Sequence, residues 1–487
     1  MKLLKDVIYG ASILQVKGST NIAVEHLVYD SRKAGKFTMF IALKGTQLNG
    51  HDFIESAIEH GADSVLCEDL PDQLDENVTY IQVKDSALAL GIIAANFYNN
   101  PSEKLKMVGI TGTNGKTTSA TLLYNLFRLL GFKVGLISTV ENKIHNEVVD
   151  ATHTTPNSLE LNLLLSKMVE KGCTHVFMEV SSHAVDQQRI AGVQFDVAVF
   201  TNITRDHLDY HKTFDNYIAA KKAFFDQLSS NAYALVNSDQ EHHETMVLDT
   251  KAKVVSYGIK SVCDHKGRII ENRFDGMTID IDNVEICSNL IGDFNVYNLL
   301  VAYSVGVVLS QEKMDILTTL SNLSAPEGRF QHNVSEGNIT AIIDYAHTPD
   351  ALENVLKTIK NIRTGKEMVI TVFGCGGDRD KGKRPLMAKI ASELSDQVIF
   401  TSDNPRNEDP ESIIADMEKG VPSKALKKTL SISNRKEAIK TACSMAHKGD
   451  ILLIAGKGHE KYQLIKEEVF PFDDMEVVVE TLKMMNK

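Results

Sequence analysis

The stretch Val108-Gly-Ile-Thr-Gly-Thr-Asn-Gly-Lys-Thr-Thr118 constrains the fold of this chain more than any other segment. An apolar run, Met107 to Ile110, enters a glycine-rich turn, and a helical pattern, Ser119 to Leu130, leaves it. In a strand–loop–helix unit of this kind, backbone N–H groups and the helix N-terminus surround phosphate oxygens. Lys116 adds a point charge and the Thr117 hydroxyl suits Mg²⁺. The general phosphate-loop pattern has its first glycine five positions before Gly115, where this chain has Ile110; with Gly112 inside the turn, the loop is a variant. A Gly-Lys-Thr triplet alone could be a surface turn. Between a strand and a helix it reads as a nucleotide phosphate loop made by Gly112, Thr113, Asn114, Gly115, Lys116, Thr117 and Thr118.

A chain of 487 residues, 43% of them hydrophobic, has room for about two to four domains with separate cores. No apolar run reaches membrane-spanning length, and the start, Met1-Lys-Leu-Leu-Lys-Asp-Val7, lacks the apolar stretch of a signal peptide. Cysteines 67, 173, 263, 287, 375 and 443 form no Cys-x-x-Cys pair, which fits reduced thiols in the cytoplasm. A net charge of −12 without a basic tail argues against a nucleic-acid partner. The expected partners are small molecules, with no membrane; a monomer is the working expectation for oligomeric state.

Strands are expected at 37–43, 64–67 and 78–83, with helices at 51–61 and 87–98. The polar, proline-bearing Asn99-Asn-Pro-Ser-Glu-Lys104 marks a boundary. Next comes a strand–helix rhythm with strands at 133–138, 175–180, 195–200 and 233–236, and a second boundary falls near Leu323-Ser-Ala-Pro-Glu-Gly328. Beyond it, strands at 339–343, 368–373, 397–401 and 451–455 each run into a polar cluster. Open α/β sheets bind ligands beyond the carboxyl ends of their strands, so four such clusters point to one shared site. The fold class is therefore α/β in three domains: 1–103, 104–326 carrying the phosphate loop, and a Rossmann-like 327–487.

Glu179 closes the strand His175 to Val180, where a carboxylate can hold a hard cation near the phosphate loop; a solvated strand-end Glu is the bland alternative. His207 also follows an apolar strand, and a lone loop His is usually structural. Together with Thr117, these two make a plausible Mg²⁺ set. Thr154-Thr155-Pro156 offers two hydroxyls that could equally cap the helix beginning near Leu159. Arg189 could pair with a substrate carboxylate or be a surface charge.

These residues assemble into a resemblance. The chain resembles the Mur ligases, ATP-dependent amide-forming enzymes of peptidoglycan precursor synthesis, over essentially its whole length. The resemblance rests on Thr113-Asn-Gly-Lys-Thr-Thr118, Thr154-Thr-Pro156, Glu179-Val-Ser-Ser-His183, Asn202 to His207 and Gly292-Asp-Phe-Asn-Val-Tyr-Asn298. It continues through Gly328-Arg-Phe-Gln331, Asp344-Tyr-Ala-His347, Asp378 to Pro385 and Asp403-Asn-Pro-Arg406. The resemblance implies a UDP-sugar-binding first domain using Ser31 and the Gly50-His51 turn, a central ATP domain, and a third domain that brings the incoming amino acid. It implies ATP contacts from Lys116, Asn295, Asn298, Arg329 and Asp344, and binding of a UDP-muramoyl-dipeptide by Thr154, Thr155, Ser181, Gln187 and Arg189. It also implies a carbamylated lysine (N6-carboxylysine) supporting a second Mg²⁺. In Tyr217-Ile-Ala-Ala-Lys-Lys-Ala-Phe224 that lysine is Lys221, although the adjacent Lys222 leaves the register open. The catalytic set would then be Lys116, Glu179, His207 and Lys221; no general base for the amine is assigned.

Asp403-Asn404-Pro405-Arg406 places a carboxylate and a guanidinium on one short turn, able to accept from an ammonium and to grip a carboxylate. In the family this form accompanies members that add meso-diaminopimelate, whose distal amino-acid head lysine lacks. Matching positions add Arg384, Gly456 and Glu460, with Arg384 and Arg406 expected on the distal carboxylate and Asp403 and Glu460 on the distal ammonium. The alternatives are lysine addition, a folylpolyglutamate-type ligase, or a nucleotide-gated binding protein without turnover.

Overall fold

The computed structural model describes all residues except Thr46, Gln47 and Thr152. Two compact units emerge, one of residues 1–203 with 211–256 and one of 204–210 with 257–487.

The first unit holds two large sheets, besides a short antiparallel pair, Lys2–Leu3 with Ala23–Val24. Its N-terminal sheet runs Ile13–Lys17, Thr79–Val83, Ser64–Cys67, Thr38–Ile41, His26–Val28, parallel except for the first strand. Both faces are covered by apolar side chains, Met39, Ile41, Leu66 and Ile81 on one and Phe40, Val65 and Tyr80 on the other. This is why its strands read as continuous hydrophobic runs. The helix Ser86–Phe97 begins at an Asp85 cap and packs so closely on the 190–192 turn that a Cβ on Gly91 would lie 2.5 Å from the Ala191 carbonyl. That contact lies within one compact unit, which spans the residues on both sides of 99–104. The second sheet has a parallel core ordered Val134–Ile137, His175–Glu179, Lys106–Thr111, Val197–Phe200, Tyr233–Asn237. The phosphate-loop strand is therefore central, with a strand end on either side of its loop.

The second unit contains a parallel sheet ordered Thr340–Asp344, Ile451–Ala455, Val369–Phe373, Gln397–Phe400, Thr429–Ser431, with Gln331–Val334 added antiparallel at the edge. The four strands expected from the sequence are its centre, and their polar clusters share its carboxyl edge. The unit also holds an antiparallel ribbon, His265–Arg273, Gly276–Ile281 and Val284–Ser288, that the sequence reading missed. The signal was present: Asp275-Gly276 and Asp282-Asn283 are hairpin-turn pairs flanking an alternating run. The ribbon packs under the helix Asp293–Val308, with the Cβ position of Gly267 only 3.0 Å from Leu300. Phe294 at the start of that helix meets Phe330 edge-on, so the compact unit reaches back well before the proline near 326.

Among the described residues, no helix is long and apolar enough to cross a membrane.

Candidate active site

The phosphate loop is built from backbone geometry. Gly112 has φ +150° and Gly115 φ +87°, and the helix Lys116–Leu129 begins directly after Gly115. A Cβ on Gly112 would lie 1.9 Å from the Thr201 hydroxyl, so only glycine fits there. The neighbouring strand end clamps the loop. Thr201 Oγ1 donates to the Asn114 carbonyl at 2.7 Å, Asn202 Oδ1 accepts from Asn114 N at 2.8 Å, and the Asn202 carbonyl accepts from Thr113 N. Thr201 and Asn202 were not assigned a role from the sequence; a polar pair directly after the apolar strand Val197–Phe200 was the available signal. The Lys116 ammonium folds back on the loop, donating to the carbonyls of Gly112 and Thr113.

Lys221 and Lys222 differ sharply. Lys221 is 1% exposed, donates to the Gly112 carbonyl at 2.9 Å and lies 4.7 Å from the centre of the Tyr217 ring. Tyr217 in turn reaches the Thr113 hydroxyl. Lys222 points away and pairs with Asp226 and Asp249. The lysine in contact with the loop is thus Lys221.

On the other side of the loop, Glu179 is buried and its Oε1 accepts from Thr139 N at 2.8 Å. Thr139 Oγ1 donates to Thr154, and Thr155 Oγ1 donates to the Glu179 carbonyl. Ser181 caps the following turn, with Thr155 within 3.4 Å. Arg189 holds the Thr155 carbonyl and the Gln187 amide. Thr154, Thr155, Ser181, Gln187 and Arg189 therefore form one connected polar network beside Glu179. The helix Ser158–Glu170 is capped by Asn157, which accepts from Leu159 N and Glu160 N, so the capping alternative for the two threonines falls away.

Ser31 is buried in a short turn capped by Asp30. His51 is engaged by the chain itself, with Nε2 accepting from Glu68 N and Nδ1 facing Asn49. Burial, then nearby Lys44, lowers its pKa.

His207 lies in the other compact unit, in a left-handed conformation with Asp206 beside its ring. Among the described residues, no three His, Cys, Asp or Glu side chains converge as a metal cluster. The expected set has only two such residues, and Lys221 as an ammonium is a donor.

In the second unit Asn295 and Asn298 are buried and hydrogen-bonded to one another. Arg329 stacks 4.5 Å from the Tyr345 ring, and Asp344 Oδ2 accepts from Phe330 N at 2.7 Å. Burial raises the Asp344 pKa to about 6 against the opposing pull of Arg329.

The strand-end turns at 403–406 and 456–460 interlock. Asn404 donates to Glu460 and accepts from Lys457. A Cβ on Gly456 would meet the Asp403 carboxylate at 2.7 Å, and Arg406, at φ +50°, donates to the Gly377 carbonyl. Pro405 is buried at the turn. Arg384 departs from expectation. It is fully buried and forms a two-pronged pair with Glu408 plus a bond to Asp416. Its end nitrogens thus brace the turn that carries Arg406, where a grip on a free carboxylate was expected. Glu408 and Asp416, absent from the sequence reading, neutralise it; Glu408 is held at a pKa of about 2, chiefly by Arg384.

Fold and site define a multidomain α/β protein with a clamped phosphate loop on one sheet and a cluster of charged side chains on the carboxyl edge of another. Three family descriptions match it in sequence order: Mur ligase family, catalytic domain at 23–98; Mur ligase middle domain at 110–306; and Mur ligase, glutamate ligase domain at 328–458. The chain is 54% identical, over 99% of its length and all of the relative, to a protein of Cytophaga hutchinsonii named UDP-N-acetylmuramoyl-L-alanyl-D-glutamate–2,6-diaminopimelate ligase. A Bacteroides fragilis protein of the same name is 51% identical over 99% of both chains. A solved structure bearing that name superposes with a TM-score of 0.72 at 30% identity, covering 100% of this chain and 99% of the other. The chain belongs to the Mur ligase family.

Proposed function

We propose that this chain joins meso-diaminopimelate to the γ-carboxylate of the D-glutamate in UDP-N-acetylmuramoyl-L-Ala-D-Glu, driven by ATP. The carrying observation is the interlocked pocket of Asp403, Arg406 and Glu460, which offers both signs of charge to an amino acid with a second amino-acid head. The names of its relatives point the same way.

The γ-carboxylate attacks the γ-phosphate of ATP, forming a carboxyl–phosphate bond and releasing ADP. The amine of diaminopimelate then attacks that acyl carbon, and inorganic phosphate leaves as the amide forms. The loop N–H groups, Lys116 and the helix N-terminus offset the negative charge gathered when carboxylate and nucleotide meet. Asn295, Asn298, Arg329 and Asp344 serve the nucleotide, and Ser31 with the Gly50-His51 turn serves the UDP part. Thr154, Thr155, Ser181, Gln187 and Arg189 orient the dipeptide so that most of the catalysis is positioning. Thr117, Glu179, His207 and carbamylated Lys221 would hold Mg²⁺, which supplies charge neutralisation on the phosphates. The buried position of Lys221 supports the carbamate reading, since a carbamate there would face the loop directly. Lys221→Ala should lose turnover that added bicarbonate does not restore, and near-normal turnover would rule the carbamate role out.

The decisive assay measures phosphate release from ATP with the UDP-muramoyl-dipeptide and either diaminopimelate or lysine. Release with diaminopimelate alone is expected. Equal use of lysine would overturn the substrate, and release with neither would overturn the ligase reading.

A further inference from the structure

Lys457 has no assigned role, yet it is one of the most deeply buried charges in the chain, at 0% exposure. Its ammonium donates to Asn404 Oδ1 at 3.0 Å and to Glu460 Oε2 at 3.1 Å, and lies 5.4 Å from the centre of the Tyr462 ring. Glu460 Oε2 also accepts from Asn404 at 2.7 Å, whereas among the described residues Oε1 meets just the Tyr345 hydroxyl, at 3.5 Å. Lys457 thus turns one oxygen of Glu460 inward and leaves the other for a ligand. Burying an ammonium is costly, and an apolar side chain would pack in the same space without that cost. A reason for the charge is therefore needed.

Counting supplies one. The charged side chains of the two turns themselves are two anions, Asp403 and Glu460, and two cations, Arg406 and Lys457; behind them Arg435 is matched by Asp474, and Arg384 with Lys381 and Lys419 offsets Glu408 and Asp416. The balance is zero, which matches a distal head carrying one ammonium and one carboxylate. Without Lys457 the balance is −1, which matches a bare ammonium. Buried charges are weakly screened, so this difference is felt by the ligand.

We propose that Lys457 is a specificity-determining, positioning residue: its buried charge makes the pocket accept a zwitterionic distal head and reject a side chain ending in an ammonium alone. Rejection comes from an unmatched charge, not from a lost contact. The proposal rests on the assignment of this pocket to the incoming amino acid.

The test compares kcat/KM for meso-diaminopimelate and for L-lysine in wild type, Lys457→Met and Lys457→Arg. Lys457→Met should lower the diaminopimelate-to-lysine ratio about tenfold or more, and Lys457→Arg, which restores the charge, should recover it. Equal losses for both amino acids, leaving the ratio unchanged, would overturn the proposal and make Lys457 a purely structural anchor. Should Lys457→Met fail to fold, Lys457→Gln keeps a donor without the charge, and its ratio decides. Where turnover is too slow to measure, the ratio of the two dissociation constants, read by calorimetry on the full chain, replaces it. Failure of the substrate reading looks different, because wild type itself would then show no preference for diaminopimelate.

Discussion

The phosphate loop and the strand-end pocket are both polar sites at the carboxyl edge of a parallel sheet, but they are made of different material. The loop is backbone: two left-handed glycines, a helix start, and side chains of Thr201 and Asn202 that hold main-chain groups. The pocket is charge: Arg384 with Glu408 and Asp416, Arg435 with Asp474, and Lys457 with Glu460. A site of backbone depends on conformation and is broken by a methyl group. A site of charge depends on pairing and is broken by removing one partner.

The largest expected effect tests the second half of that contrast. Arg435 and Asp474 are fully buried and bonded twice at 2.7 Å, and Arg435 also donates to the carbonyls of Ala455 and Ser402, directly before Gly456 and Asp403. Arg435→Met leaves Asp474 buried without its partner and should cost about 3–5 kcal/mol in denaturant unfolding. Adding Asp474→Leu removes the orphaned charge, and the double variant should regain most of that loss. A double variant as unstable as the single one would show that packing, not charge, is what matters there.

Next is Asp344. Its carboxyl is raised from an ordinary value near 3.8 to about 6 by burial. A raised folded pKa means that the folded state holds the proton more tightly, so its contribution is present below pH 4 and is lost as pH rises through 6. Relative to Asp344→Asn, wild type should lose on the order of 3 kcal/mol between pH 4 and pH 7. Parallel pH curves for the two proteins would remove Asp344 from the charge-built region.

On the loop side, Gly112→Ala would place a methyl 1.9 Å from Thr201 Oγ1 and 2.9 Å from the Asn202 carbonyl. The loop must shift by about an ångström, enough to lower kcat/KM by roughly 100-fold. Near-normal activity would mean that the loop is not the rigid element its backbone implies.

The same contrast explains what the sequence could and could not reveal. The loop was readable because strand, glycines, lysine and helix are contiguous. The strand-end clusters were readable as clusters, since each ends an apolar strand. Their pairings were not: Arg384 meets Glu408 across 24 residues and Asp416 across 32, and nothing local distinguishes a bracing arginine from a ligand-gripping one. The Thr154-Thr155 pair stayed open between two readings for a related reason, because a cap and a network look alike until Asn157 is seen to do the capping. Lys221 was more readable than it was taken to be. Tyr217, Lys221 and Phe224 follow the spacing of one buried helix stripe, whereas Lys222 lies about 100° away around the helix.

That last point yields the smallest predicted effect. Lys222 pairs with Asp226 one turn on and with Asp249, whose side chain is two-thirds exposed. Partly exposed pairs of this kind contribute no more than about 1 kcal/mol, so Lys222→Ala should shift stability by that much or less. Turnover should stay near wild type, because Lys222 bonds to Asp226 and Asp249, while Lys221 one residue earlier donates to the Gly112 carbonyl. The pair of variants makes a control internal to one helix: same residue type, adjacent positions, opposite surroundings. If Lys222→Ala lost as much turnover as Lys221→Ala, both would be acting through the helix Phe214–Asp226 as a whole, and the special chemistry assigned to the buried lysine would have no support.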